Sequence, residues 1–477
     1  MWFLDGLGLS ANARCEGTYT GLSLLAESRA GPVSPWIRQL VQLLMCAPPK
    51  WYTHKAMGRK FNIPIFYRSS IISTIKSARR NQDTRKRDFS PSVLDLGQVR
   101  FKIARHFGFC FGVENAIEIA YQALEQNPDK RVFLLSEMIH NPHVNGDLQA
   151  RGVRFILTPS GEQLVDFKEL SPEDIVIVPA FGTTVELFDK LQSLGINPLR
   201  YNATCPFVEK VWKRAAQLGE QGYSIIIHGR HNHEETRATF SHAVLSGPSI
   251  VIRDIEEARL LCKYIKHELP ADQFLSDFKG LFSPGFDCRR DLLRIGVVNQ
   301  TTMLATETQT ISDLLRQAML EHYGAQAQNH HFADTRDTLC YATSENQDSI
   351  YGLLKSGGDL AIVVGGYNSS NTSHLVELCQ EQLPTYYIKD ADEIIDGLQI
   401  RHLDMHVHQV VTSQNWLVTP GDRPVEVILT AGASCPDALV DEVLVKVARL
   451  AGVEDRIGAA LDRFAADCVP ELSTSIS

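Results

Sequence analysis

The chain has no run of about eighteen apolar residues, the length a helix needs to cross a bilayer, so nothing in it is expected to span a membrane. It has no CxxC pair and no dense cysteine spacing. Its ten cysteines are scattered over 477 residues, which excludes a disulfide-stapled scaffold and favours a reducing, cytosol-like compartment. It has neither a GxxxxGK[ST] nor a GxGxxG loop, so nucleotide binding has little support. Positive charge is not in excess. The formal net charge of −9 argues against a general nucleic-acid surface, although a local anion site remains open. A basic targeting start is also missing, because Asp5 and Glu16 interrupt it.

What the chain does have is one pattern three times over. Cys110 precedes a helix-like run (Val113 to Glu125), the strand Val132–Leu135 and a polar tip with Glu137, His140 and Asn141. Cys205 precedes the run Phe207 to Glu220, the strand Ser224–Ile227 and a tip with His228, His231, His233, Glu234 and Glu235. Cys340 precedes the run Ser344 to Lys355, the strand Leu360–Val364 and a tip with Asn368, Ser369, Ser370 and Asn371. Each copy continues into a second strand (Arg154–Leu157, Ile250–Arg253, Thr385–Ile388) and a third (Ile175–Val178, Ile295–Val298, Val425–Leu429). The third strands end in Phe181-Gly-Thr, Gln300-Thr-Thr and Gly432-Ala-Ser.

Short β-branched strands alternating with helical segments predict parallel α/β units, with ligand groups at the carboxyl ends of the strands. The expected fold is therefore α/β: three pseudo-repeated domains with mainly parallel sheets around one central site. Hydrophobic residues make up 44% of the chain, ample for several cores. Three thiolates, one from each unit, are one short of closing a tetrahedral metal or cluster site, and the unfilled position is where substrate can bind.

The boundaries expected are an N-terminal extension over 1–98, largely disordered; a first α/β domain over 99–200 with Cys110; a second over 201–335 with Cys205 and an insertion near 262–294; a third over 336–450 with Cys340; and a C-terminal helix and tail over 451–477. Between Trp51 and Gln98 there are ten Lys/Arg against three Asp/Glu, which reads as a solvated extension. Met57 is a candidate alternative translation start. Cys262, Cys288, Cys379 and Cys468 lack surrounding ligand patterns and read as structural; Cys435, beside Ser434, is a weak candidate for a fourth ligand.

Gly108-Phe-Cys-Phe-Gly-Val-Glu-Asn-Ala-Ile, Ala203-Thr-Cys-Pro-Phe-Val-Glu-Lys-Val and Leu339-Cys-Tyr-Ala-Thr resemble, in order, the three cysteine motifs of the LytB/IspH family of hydroxymethylbutenyl diphosphate reductases. Gln300-Thr-Thr, Asn368-Ser-Ser-Asn and Thr430-Ala-Gly-Ala-Ser-Cys-Pro-Asp match further stretches, so the likeness covers about residues 99–450 and looks closest to the plant and cyanobacterial branch. The resemblance implies a [4Fe-4S] cluster on Cys110, Cys205 and Cys340 with one iron free for an alcohol oxygen. It implies reductive dehydroxylation of 4-hydroxy-3-methylbut-2-enyl diphosphate, an allylic diphosphate, to isopentenyl and dimethylallyl diphosphate, the last step of the non-mevalonate isoprenoid pathway. Glu235 would be the acid and Thr301 its relay, with Gln300 and Thr302 orienting them. His140, His233, Thr301, Ser369, Ser370, Asn371 and Ser434 would bind substrate.

Glu234 is the nearest rival to Glu235, and an extended loop would turn its side chain elsewhere. His228 and His231 stay open between supporting the site and lying on the surface. Phe181 departs from the histidine of many bacterial relatives. No segment looks like a flavin or nicotinamide domain, so electrons would come from an external ferredoxin- or flavodoxin-type donor. The expected location is cytoplasmic, or a plastid in a photosynthetic eukaryote. The alternative reading is another three-cysteine [4Fe-4S] dehydratase of quinolinate-synthase type; structural zinc is disfavoured by cysteine separations of 95 and 135 residues.

Overall fold

A computed structural model describes residues 60–324, 328–333, 338–417 and 421–468. The expectations for residues 1–59 and for the tail beyond 468 lie outside the described residues.

Three sheets carry the architecture. In the first, β3 (Val132–Leu134) lies between β4 (Arg154–Phe155) and β5 (Ile175–Ile177), all parallel. In the second, β6 (Ser224–His228) lies between β7 (Ser249–Ile252) and β8 (Ile295–Asn299), again all parallel. In the third, β9 (Leu360–Val364) lies between β10 (Thr385–Ile388) and β13 (Val425–Ala431). The same order, second strand, first strand, third strand, recurs in all three, which makes the repeat structural as well as sequential. β6, β8 and β9 are buried along their whole length, as parallel strands covered by helices on both faces must be, and their Ile/Val runs suit that environment.

The third sheet is larger than its repeat. β2 (Val99–Ile103) pairs with β13 in parallel, and β1 (Ser92–Asp95) pairs antiparallel with β2, giving the order β1-β2-β13-β9-β10. The strand that leads to Cys110 thus belongs to the third sheet, not to a first domain starting at residue 99. Burial of Phe101 and Ile103 among the residues of β9 and β13 fixes it there.

Residues 60–98 correct the expectation of a largely disordered extension. Ile71–Gln82 is a helix whose Ile72 and Ile75 are buried. Asp441 accepts hydrogen bonds from Ile71 N and Ile72 N, both at 3.0 Å, and so satisfies two of the helix's orphan donors. Lys76 Nζ reaches Asp437 Oδ1 at 2.7 Å and the Phe107 carbonyl at 2.9 Å, bracing the turn before Cys110. The basic residues that suggested solvation share this segment with apolar ones at helical spacing, and the apolar set decides.

The expected insertion is an apolar cap on the second module. Cys262 sits inside the helix Ile255–Ile265, and the short helices Phe274–Asp277 and Cys288–Asp291 pack Phe274, Phe278 and Phe286 against it. A separate antiparallel hairpin, β11 (Gln399–Asp404) and β12 (Gln409–Gln414), was not expected.

Candidate active site

The three modules are joined head to tail, and each join carries one cysteine. Cys110 N donates to the Ala433 carbonyl just past β13, Cys205 N to the Ala180 carbonyl just past β5, and Cys340 N to the Thr301 carbonyl just past β8. Each cysteine then caps the first helix of the next module: Phe111–Gln126, Pro206–Glu220 and Tyr341–Lys355. Three thiols are thereby tied to strand ends and helix starts at once, and all three line a single cavity that is partly open to solvent, with about 720 Å³ of empty space.

A helix N-terminus favours negative charge, the state a thiol must reach to bind metal. Burial works against it. It pushes Cys110 up to about 12, with the Cys340 charge adding to the effect and the N–H groups of Val113 and Gly112 opposing it. Burial likewise raises Cys205, with the Cys110 charge next, and raises Cys340 against the hydrogen bonding of Thr343. With no cation the three are neutral thiols, and a metal centre would release their protons as it loads. Among the described residues no three His, Cys, Asp or Glu side chains converge closely enough to enclose one metal ion. A lone tetrahedral ion would want its sulfurs within roughly 4 Å of one another.

The second helix of each module also begins at the site. Asn141, His233 and Ser369 cap the helices Pro142–Ala150, Glu234–Val244 and Ser370–Gln380 through their side chains. His140, His233, Glu235, Thr301, Ser369, Ser370, Asn371 and Ser434 line the same cavity as the three thiols. They differ in how free they are. Ser369 Oγ is occupied by Thr372, and Ser434 Oγ donates to the His140 carbonyl at 3.1 Å. Among the described residues, Ser370 Oγ and Asn371 Nδ2 are buried without a hydrogen-bond partner.

Glu235 is completely enclosed. Its Oε1 accepts from Thr301 N at 2.6 Å and its Oε2 from Thr301 Oγ at 2.9 Å. Burial lifts its carboxyl from an ordinary 4.5 to about 7, partly offset by those two bonds. Glu234 and Glu235 are not on an extended loop but are the first two residues of a helix, where successive side chains diverge by about 100°. Glu235 turns to Thr301. Glu234 turns to Ser136, whose hydroxyl it accepts, and to His140.

His140 stacks on Phe181 with centroids 4.2 Å apart, so the phenyl ring holds the imidazole flat against it. Gln300 does not line the cavity wall. It is buried behind it, with Oε1 accepting from Arg230 N and Thr236 Oγ and Nε2 donating to Thr302 Oγ at 2.7 Å. His228 is buried away from the cavity and His231 pairs with Glu257 at 2.9 Å. Cys435 is buried outside the cavity wall, its thiol on the Pro436 carbonyl.

Sequence reasoning missed Gly112, Thr343 and Tyr341. Gly112 makes room for Cys205, Thr343 N and Oγ contact Cys340 Sγ at 3.3 and 3.1 Å, and the Tyr341 ring closes the wall. A glycine in the first turn of a helix was a readable signal, because it costs helix stability.

An α/β protein built from three joined repeats, with one thiol from each at a shared cavity, is the class this geometry defines. Residues 101–448 match the family model described as LytB protein, and the chain belongs to that family. It is 42% identical over 358 residues to a 4-hydroxy-3-methylbut-2-enyl diphosphate reductase of Thermosynechococcus vestitus, covering 75% of this chain and 86% of that protein. It is 39% identical over 383 residues to a reductase of the same name from a Cyanothece species, covering 80% and 89%. The solved E-1-hydroxy-2-methyl-but-2-enyl-4-diphosphate reductase of Plasmodium falciparum shares the fold with a TM-score of 0.52 at 20% identity, over 74% of this chain and 88% of that one. Among the described residues no helix is long and apolar enough to cross a membrane.

Proposed function

We propose that this chain is a 4-hydroxy-3-methylbut-2-enyl diphosphate reductase that makes isopentenyl and dimethylallyl diphosphate at the end of the non-mevalonate isoprenoid pathway. The observation that carries the reading is the meeting, at one cavity, of three thiols, each on the residue that precedes a helix, and the enclosed Glu235–Thr301 pair. Three thiols around a cavity, without the close convergence of a single-ion site, suit a polynuclear [4Fe-4S] centre held by Cys110, Cys205 and Cys340. When bound, such a cluster supplies electrons one at a time and a Lewis-acidic iron for the substrate hydroxyl.

The chain's own residues do the rest. Loss of the hydroxyl as water takes two electrons and two protons. Glu235, protonated below about pH 7, passes a proton through Thr301 Oγ to the leaving oxygen. Ser370 Oγ and Asn371 Nδ2, buried without partners, are preorganised donors for the diphosphate, joined by His140, His233, Ser369 and Ser434. Ile139, Ala180, Phe181 and Phe207 give the wall an apolar lining that keeps water from the reaction. Electrons come from an external donor of ferredoxin or flavodoxin type. No observation favours the dehydratase reading.

The test is turnover of the allylic diphosphate by anaerobically purified protein with a reduced viologen dye, together with iron and sulfide content. The expected result is dye oxidation coupled to product and about four irons per chain. A dehydration that consumes no dye electrons would overturn the reading.

A further inference from the structure

The three repeats differ in one residue beside the thiols. Three positions past the cysteine stands Val113 in the first copy, Val208 in the second and Thr343 in the third. All three side chains line the cavity. Threonine and valine have nearly the same shape, so the third copy departs from the other two by a hydroxyl in place of a methyl group. A hydroxyl in a closed wall is costly unless it finds a partner. Thr343 is buried, in the first turn of the helix Tyr341–Lys355, so its hydroxyl must be accounted for.

The partner is sulfur. Thr343 Oγ stands 3.1 Å from Cys340 Sγ, and Thr343 N donates to the same atom at 3.3 Å. Of the three cysteines, Cys340 is thus the one whose side chain caps its helix; Cys110 and Cys205 make no such bond. In a capping box the third helical residue reaches back to the N–H of the cap residue. Here Cys340 N already donates to the Thr301 carbonyl, which leaves the sulfur for the Thr343 hydroxyl. In a free thiol either group can donate. A sulfur bound to iron has lost its proton and only accepts, so the bond then runs from Thr343 Oγ to Cys340 Sγ.

We propose that Thr343 is a positioning residue that raises the electron affinity of the cluster, by giving the Cys340 corner a side-chain hydrogen bond that valine denies the other two. This rests on the reading of the three thiols as ligands of a [4Fe-4S] centre. A bond donated to a thiolate draws charge off the sulfur. It therefore favours the state that holds the extra electron and moves the reduction potential upward. The step concerned is the arrival of one electron from the external donor: the donor is oxidised, the centre is reduced, and the Thr343 proton stays on its oxygen throughout. Burial of the hydroxyl keeps water from competing for the sulfur, so the bond acts at full strength.

The experiment is a redox titration of the anaerobically purified holoenzyme, followed by EPR without substrate, on the parent, Thr343→Val and Thr343→Ser. The valine variant repeats in the third copy what the first two already carry, and it keeps the backbone N–H bond to sulfur. At a fixed potential its ratio of reduced to oxidised cluster should fall about tenfold, the worth of one hydrogen bond. For one electron that is a midpoint about 59 mV more negative. Thr343→Ser restores the hydroxyl and should return the ratio to within about threefold of the parent's. A loaded valine variant with the parent's midpoint would overturn the proposal. The parent alone gives a second reading, which stands even where the valine variant loads no cluster. After exchange into deuterium oxide, an Fe–S stretching band in its resonance Raman spectrum should shift, and bands that all stay in place would also overturn the proposal. If the parent takes up no iron and sulfide, the reading of the thiols as cluster ligands fails instead.

Discussion

Gly112, two residues past Cys110, leaves the space that the Cys205 thiol fills: a Cβ on Gly112 would stand 2.5 Å from Cys205 Sγ and 3.3 Å from its Cβ. The clash is with the body of a capping residue tied to the Ala180 carbonyl, which has little freedom to move. Gly112→Ala should therefore retain the fold, because alanine is favoured over glycine in a helix by up to about 1 kcal/mol. Iron and sulfide per chain should fall by half or more, and the overpacked wall should cost the metal-free protein about 1–3 kcal/mol, offset in part by that helix gain. A fully loaded, fully active variant would show that the two residues do not share a packed wall.

Glu235→Gln keeps an acceptor for Thr301 N but has no proton to give. kcat should fall by roughly 10²–10⁴ with the cluster intact and the substrate bound. In the parent, kcat/KM should decline as pH rises through about 7, where Glu235 loses its proton, and the residual rate of the variant should lack that limb. The same shift predicts stability. A folded-state value of about 7 against an ordinary 4.5 means the folded chain holds the proton more tightly. That contribution is fully present below about pH 4.5 and lost as pH rises through about 7. At pH 8 the metal-free Glu235→Gln protein should be more stable than the parent by up to about 3 kcal/mol, and at pH 4 the gain should vanish. Denaturant unfolding at the two pH values checks the sign.

Much of this arrangement was legible because its signals are local. Val132–Leu134, Ser224–His228 and Leu360–Val364 are dense apolar runs, and the residues after them are where parallel sheets expose groups to ligands. What the sequence could not convey is pairing order. Nothing local to Val99–Ile103 says that it joins β13 rather than β3, and only burial of Phe101 between sheet and helix decides it. The hairpin β11–β12 escaped notice because β12 has no buried residue along its length and lacks a continuous apolar face. Glu234 turns away from Thr301 as expected, but on a helix and not on an extended loop. His233 caps a helix there, so the neighbouring carboxyls diverge as helical residues and not as alternating strand residues.

Thr301 separates two functions in one residue. Its N–H orients Glu235 and its hydroxyl is the only part placed to carry a proton onward. Thr301→Val preserves shape and the N–H bond while deleting the hydroxyl. kcat should drop by about 10- to 100-fold while KM changes little, since the carboxyl stays in place. Thr301→Ser, which restores the hydroxyl, should recover most of the rate. A valine variant with an unaltered kcat would remove the hydroxyl from the proton path.

Ser370 and Asn371 set stability against binding. A buried hydroxyl or amide without a partner costs on the order of 1–3 kcal/mol, and the fold tolerates such a cost where a ligand later supplies the partner. Asn371 cannot be removed cleanly, because its Oδ1 accepts from Ala433 N at 2.9 Å and so holds the strand end that receives Cys110. Ser370 carries no such duty through its Oγ. Ser370→Ala should therefore leave the unliganded protein as stable as the parent or more so, by up to about 1 kcal/mol, while raising KM for the diphosphate about tenfold. Opposite signs in denaturant unfolding and in steady-state kinetics are the expected signature. A variant that loses stability and affinity together would mean that the hydroxyl serves the fold and not the ligand.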